Sequence, residues 1–333
     1  KIITKKINET SSDKIAGFTG DLTNMETLYV AKEFFNKTIK SKYLDSRISN
    51  TYINTTNKEN YIFNSTINGI EDSDLIVLIG TNPRYEATIL NSRIRKSYLQ
   101  NKMKIFSLNN VGDLTYPYEK LDGKTDTIKL IIENQHYLSK LINSSKKPLI
   151  IIGQSALNSK SGKYIFESIK SYLKRNKKIN SEWNSLNIIS ENASTVGSLD
   201  LGVFNTIDGS NETLKKLEDH KFEIVYLLGQ DSLQFKKGNE FIIYQGSHGD
   251  KGAEIADVIL PGAAYTEKNG LFINLEGKLQ SAFKASYPPG DAKEDWLIFK
   301  NLANKMKKPF EYNNEEQLRK LIEKHIHSKI NKP

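Results

Sequence analysis

No cysteine occurs among the 333 residues. That absence excludes disulfides, cysteine-ligated iron–sulfur clusters, cysteine-based zinc sites and a cysteine nucleophile. Long apolar runs are missing too. The longest, at 74–80 and 148–153, have the length of buried strands and fall short of the roughly 18–20 residues that cross a bilayer. No basic stretch is interleaved with aromatics in the pattern that single-strand nucleic-acid binders need. The net charge of +9 therefore reads as Lys and Arg scattered over solvated faces, with one denser run at Lys174–Lys178. No nucleic-acid partner is expected. Nothing in Lys1–Lys14 resembles an apolar secretory segment.

What is present suits a packed protein. Apolar residues make up 38% and charged residues 26%, a balance that argues against disorder. The length exceeds one small core and predicts two domains or two lobes.

A unit recurs along the chain: a β-branched run, a glycine, polar residues, then a helical stretch. Ile15–Gly17 leads into Thr19-Gly20-Asp21 and a helix from about Met25 to Lys40, with Thr23 or Asn24 as its cap. Leu75–Gly80 leads into Thr81-Asn82-Pro83 and a helix over Tyr85–Leu99. Leu149–Gly153 precedes a helix near Tyr164–Leu173, and Ile224–Gly229 leads into Gln230-Asp231. Continuous apolar runs suit strands covered on both faces, and their alternation with helices predicts parallel sheets. The fold class is α/β, with two Rossmann-like, doubly wound lobes. The polar stretch Asn143–Lys147 marks the expected boundary, dividing the chain into 1–145, 146–305 and a basic helical tail at 306–333. Asp257–Leu260 reads as a central strand buried on both faces and ended by Pro261. Leu271–Leu275 and Leu279–Phe283 read as a β-hairpin around Glu276-Gly277-Lys278, with a last helix over Glu294–Lys305.

Candidate chemistry is sparse. A glycine at the carboxyl end of a strand lets a ligand approach, so Gly17, Gly20, Gly80, Asn82, Gly153 and Gly229 are candidates for a phosphate or nucleotide cradle. Neither G-x-G-x-x-G nor a P-loop occurs, so tight turns explain the same glycines. The histidines are His136, His220, His248, His325 and His327. His248 lies in a glycine-flanked loop beside Asp250 and could act as a base or a metal ligand. No second histidine or carboxylate pair completes that site. His325 and His327, two apart on a predicted helix, point to different faces. Asp257, Glu267 and Glu276 could supply an acid–base pair but read better as structural anchors, with Glu267 able to pair with Lys268 or to reach a basic group elsewhere. No serine lies in a G-x-S-x-G elbow.

Two segments carry more. Gly80-Thr81-Asn82-Pro83-Arg84-Tyr85-Glu86, continued by Leu90-Asn91-Ser92-Arg93-Ile94-Arg95-Lys96, resembles a signature of the large iron–sulfur subunit of respiratory complex I. So do Tyr244–Asp250, Ala256–Glu267 and Asn274–Gln280, whose ADV-x-LP…E…N-x-EG frame is shared by molybdopterin oxidoreductases. Lys278 stands where that frame usually has Arg. The resemblance runs from about Lys14 to Leu302.

It implies a molybdopterin-oxidoreductase fold in a subunit of NADH:ubiquinone oxidoreductase. It also implies a non-catalytic scaffold of the hydrophilic arm, without metal or cofactor, in which the strand-end glycines are vestigial. The expected location is the matrix side of the mitochondrial inner membrane, or the bacterial cytoplasmic face, without a membrane span of its own. The expected partners are other hydrophilic-arm subunits, including the family's cysteine-rich region if that is a separate chain. The rival reading is an active molybdopterin- or nucleotide-dependent oxidoreductase using the strand-end cleft.

Overall fold

The computed structural model describes residues 1–207 and 210–330. Along the chain come strands β1 (Ile15–Thr19), β2 (Leu44–Asp45), β3 (Leu75–Ile79), β4 (Lys104–Leu108), β5 (Glu119–Leu121), β6 (Pro148–Ile152) and β7 (Leu186–Ile188). A short antiparallel pair follows, β8 (Thr206–Ile207) and β9 (Ser210–Asn211). Then come β10 (Ile224–Leu228), β11 (Phe241–Gly246) and β12 (Val258–Pro261), and last the hairpin β13 (Gly270–Ile273) and β14 (Leu279–Ala282).

The long strands build two five-stranded parallel sheets, ordered β12-β11-β10-β1-β2 and β5-β4-β3-β6-β7. In each sheet the order runs outward in both directions from an early strand, the doubly wound arrangement. Every residue of β1, β3, β6 and β10 is buried. Helices cover both faces of such strands, which is why their sequences are continuously apolar. Asn24 caps the helix Met25–Glu33, its side chain accepting from Thr27 N at 3.1 Å. Beyond that helix the chain widens into a π-helical turn, Phe34–Ile39, which ends at the left-handed Lys40 (φ 65°).

The chain forms two compact units, and their limits differ from the expected 1–145, 146–305 and 306–333. One unit holds residues 1–50, 192–274 and 278–333; the other holds 51–191 and 275–277. The cause is strand pairing. β1 aligns with β10, from Ile15↔Ile224 to Thr19↔Leu228, so the first sheet needs strands from far downstream. The polar stretch Asn143–Lys147 is only the link into β6, which pairs with β3 in the same sheet. Asp74 pins that link, accepting from Lys146 N at 2.7 Å and Lys147 N at 3.0 Å. The segment after 306 is no appended tail. Its helix Glu315–Ile330 buries Leu318, Ile322 and Ile326 at helical spacing, facing the helix Met25–Glu33.

The expectation for Asp257–Leu260 also fails. β12 is an edge strand, paired only with β11, and none of its four residues is fully buried. Ile259 is 55% exposed. Its apolar run imitates a central strand, but an edge strand lacks a neighbour on one side. The hairpin forms one or two residues from the expected limits. Its turn residues 275–277 belong to the second unit, where Leu275 O accepts from Phe63 N at 2.8 Å and Glu276 Oε1 accepts from Ile67 N at 2.6 Å.

Candidate functional site

A cleft of about 280 Å³ opens in the first unit at the carboxyl ends of β1, β10 and β11, lined among others by Asp21, Gln230, Asp231, Asp250, Lys268 and Asp295. This is the edge of a doubly wound sheet where ligands bind. Its chemistry is acidic. Asp231 Oδ2 accepts from the Tyr244 hydroxyl at 2.9 Å, and Oδ1 accepts from Gly252 N at 2.9 Å. Asp21 Oδ1 accepts from Asn192 Nδ2 at 2.7 Å. Burial pushes the Asp21 carboxyl up, and the charge of Asp231 pushes it further.

A relay of polar side chains joins the cleft-lining Gln245, Lys268 and Asp295 to the buried Tyr226. The buried Tyr226 hydroxyl donates to Gln245 Oε1. Gln245 Nε2 donates to Asp295 Oδ1 at 2.9 Å, and Asp295 Oδ2 takes the Lys268 ammonium. Burial raises the Tyr226 phenol well above its ordinary range, so it stays a donor. Each buried polar group in the relay has a partner, which is what burial demands.

The strand-end glycines serve close backbone approach. A Cβ on Gly20 would sit 1.7 Å from Gly229 O, so the chains after β1 and β10 touch there. In the second unit, Gly80 has φ +58° and a Cβ on it would meet Ala156 N at 2.4 Å; one on Gly153 would meet Gly80 O at 2.5 Å. Gly17 makes room for the Phe35 ring, 2.5 Å from where its Cβ would lie. Gly229 is the exception among the five candidate glycines, with φ +57° and open space beside it, at the cleft. Asn82 caps the short helix Pro83–Glu86, accepting from Arg84 N at 3.1 Å, while its Nδ2 donates to Val111 O at 2.7 Å.

The remaining candidates scatter. His248 lines the cleft but is exposed, and its Nδ1 meets Ser247 Oγ at 2.9 Å rather than Asp250. His136 caps the helix Tyr137–Ser144. His220 Nδ1 lies 2.6 Å from Glu240 Oε1. Burial would raise Glu240, but hydrogen bonds from His220 and the backbone outweigh it and hold the carboxyl below its ordinary value. His325 packs edge-on to Tyr29, and the side chain of His327 lies outside the described residues. Asp257 anchors the edge of the sheet, accepting from Ile242 N at 2.8 Å and from Lys237 Nζ at 3.0 Å. Glu267 does not take Lys268; its Oε2 accepts from Ala264 N at 3.0 Å and closes a turn. Among the described residues no three His, Asp or Glu side chains group as a metal site.

Sequence reasoning missed Asp21, Asp231, Gln245 and Asp295. The first two carried a signal, since each follows a strand-end glycine. Asp295 carried none, because it reaches the cleft from the start of the helix Asp295–Lys305.

Comparison with known proteins fits this architecture. Residues 1–305 match the family model described as molybdopterin oxidoreductase. The chain is 42% identical over 322 residues to the NADH-ubiquinone oxidoreductase 75 kDa subunit of Reclinomonas americana, covering 92% of this chain and 46% of that protein. It is 38% identical to the mitochondrial 78 kDa subunit of Candida albicans, covering 90% and 40%. It is 37% identical to an NADH-quinone oxidoreductase subunit of Rickettsia bellii, covering 97% and 46%. The chain thus spans less than half the length of these relatives. Among solved structures, acetylene hydratase from Pelobacter acetylenicus aligns with a TM-score of 0.51 at 11% identity, over 92% of this chain and 58% of that one, a likeness of fold alone. The chain belongs to the molybdopterin oxidoreductase family.

Proposed function

We propose that this chain is a structural, cofactor-free part of the hydrophilic arm of respiratory complex I. It scaffolds electron transfer from NADH to ubiquinone while neighbouring polypeptide carries the iron–sulfur clusters. The observation that carries this reading is 37–42% identity, over nine tenths of the chain or more, to subunits of NADH-quinone oxidoreductases. A sequence with no cysteine adds to it, since these residues bring no thiolate to a cluster.

The family's cofactor makes demands that the cleft does not meet. A molybdopterin brings a phosphate and a metal held by sulfur. Four carboxylates line the cleft, and its one lysine, Lys268, already pairs with the buried Asp295. A phosphate placed there meets like charge in a half-buried setting. The close contact of Gly20 with Gly229 O leaves no cradle at that point. The cleft does not fit the group, and no reaction step is assigned to it. The strand-end glycines are then vestigial.

Among the described residues no helix is long and apolar enough to cross a membrane. The proposed place is a membrane complex, on the matrix side of the mitochondrial inner membrane or the bacterial cytoplasmic face. Blue-native electrophoresis with peptide identification tests the reading. The chain should co-migrate with other NADH dehydrogenase subunits in one very large particle. Migration as a small free species, or stoichiometric molybdenum bound to this chain, overturns it.

A further inference from the structure

The helix Thr88–Asn101 has a packed face and an exposed face that carries two large apolar side chains. One packs inward, burying Leu90, Asn91, Ile94 and Ser97. On the opposite side Ile89, Ser92, Lys96 and Leu99 follow one another at the three- and four-residue spacing that aligns side chains along a helix. Ile89 is 70% exposed and Leu99 55%; Tyr85, on the separate short helix Pro83–Glu86, is 78% exposed. Single exposed apolar residues are ordinary on a surface. Here Ile89 and Leu99 bracket Ser92 and Lys96 on the solvent side of an already packed helix, which makes a mixed apolar and basic face.

Beside this stripe runs a groove of about 580 Å³. Arg84, Arg95, Lys96 and Leu99 line it, and no carboxylate is among its lining residues. Glu86, the acid nearest in sequence, is turned away: it accepts from Thr81 Oγ1 at 2.6 Å and from Asn82 N at 2.7 Å. Two of the cations have pairs, Arg84 with Asp113 at 2.7 Å and Lys96 with Glu71 at 2.9 Å. Those pairs are solvent-exposed, so they are weak and exchange readily for an incoming carboxylate. Apolar anchors flanked by cations are complementary to one kind of ligand.

We propose that this face docks a segment of a partner protein that carries carboxylates beside apolar side chains. A second copy of the chain is disfavoured, because a two-fold contact would set the same arginines and lysine against themselves. A nucleic acid is disfavoured because its phosphates would answer the cations and leave the exposed Ile89 and Leu99 side chains without an apolar partner. The inference is read from this helix and its groove, and it does not depend on the complex I assignment. Co-migration decides that assignment, whereas the experiment below reads the helix face in whatever particle holds the protein.

The lack of cysteine in these residues makes the test clean. Ile89→Cys and Leu99→Cys are introduced into the full-length protein, with Leu130→Cys as an exposed control on the helix Thr125–Ile132. Maleimide labelling in native particles is followed by peptide mass mapping. The expected rates at 89 and 99 are at least tenfold below that at 130, and dissociating the particles removes the difference. A benzophenone side chain at 89 should cross-link to one protein peptide rich in Asp and Glu. The double change Arg95→Glu, Lys96→Glu should abolish that adduct. Equal labelling of all three positions in intact particles overturns the proposal. So does an adduct to lipid, to nucleic acid, to a second copy, or to a peptide without carboxylates. All the substituted side chains are exposed, so the core that folds the unit is untouched.

Discussion

The Nε–H of Arg319 donates to Oε1 of Glu26 at 2.7 Å, and the other oxygen of Glu26 accepts from Leu271 N at 2.9 Å. Glu26 is almost wholly buried. Burial pushes its carboxyl up, and the hydrogen bonds from Leu271 and the Arg319 charge only partly offset that. Removing the guanidinium with Arg319→Gln leaves a buried charge uncompensated, at a cost of about 3–5 kcal/mol near neutral pH. The sign of the pH dependence follows. A carboxyl whose native pKa is raised holds its proton more tightly when folded, so its contribution is most favourable at low pH and is lost as pH rises. The penalty of the variant should therefore shrink between pH 7 and pH 5. Denaturant unfolding at both values checks it, and an equal penalty would mean that Glu26 is satisfied without the arginine.

Asp21 offers the opposite sign of intervention. Its raised pKa means that ionisation near neutral pH costs stability. Asp21→Asn removes the charge and keeps an oxygen to accept from Asn192. The variant should be about 0.5–1 kcal/mol more stable than the parent at pH 7, with the gain vanishing below the ordinary carboxylate range. Thermal unfolding across that range measures it. A loss of stability at pH 7 would show that the cleft needs the negative charge.

β11 and β12 provide a matched comparison. Ile243 is fully buried and Ile259 is half exposed on the edge. Ile243→Ala should cost about 2–5 kcal/mol through lost transfer energy and a cavity. Ile259→Ala should cost under about 0.5 kcal/mol in the isolated chain. Chemical denaturation of the two variants decides, and similar losses would place β12 inside the sheet.

Gly80 tests scaffold against enzyme. It combines a left-handed φ with a Cβ position 2.4 Å from Ala156 N. Gly80→Val should lower the amount of assembled complex, since a penalty of a few kcal/mol is comparable to much of a domain's stability. The complex that does assemble should oxidise NADH at the parental rate. Normal assembly with turnover down tenfold would instead point to a working site at this edge.

Much of this was legible because it is local. The runs LIVLI in β3 and IVYLL in β10 are apolar throughout, as strands covered on both faces usually are. Asn24 precedes a helical period and caps it. What was illegible depends on partners distant in sequence. VILP in β12 looks like a core strand, because an apolar run does not reveal how many neighbours its strand has. Nothing around Lys268 hints that its ammonium bypasses the adjacent Glu267 for Asp295. The unit boundary failed for the same reason, since polar residues mark surface loops and not which sheet the next strand joins.

The pairing of β1 with β10 has a consequence for synthesis. A ribosome delivers Ile15–Thr19 long before Ile224–Leu228, and at about 5–20 residues per second the gap is on the order of ten to forty seconds. During that interval Ala16 and Phe18 lack the strand that will cover one edge of theirs, while residues 51–191 emerge as one continuous stretch able to finish their own sheet. Nascent β1 is an open edge with an apolar face, the kind of surface that chaperones shield and that aggregates when they do not. The first unit therefore cannot close its sheet until Ile224–Leu228 have emerged, whereas the second needs nothing beyond Ile188 for its own.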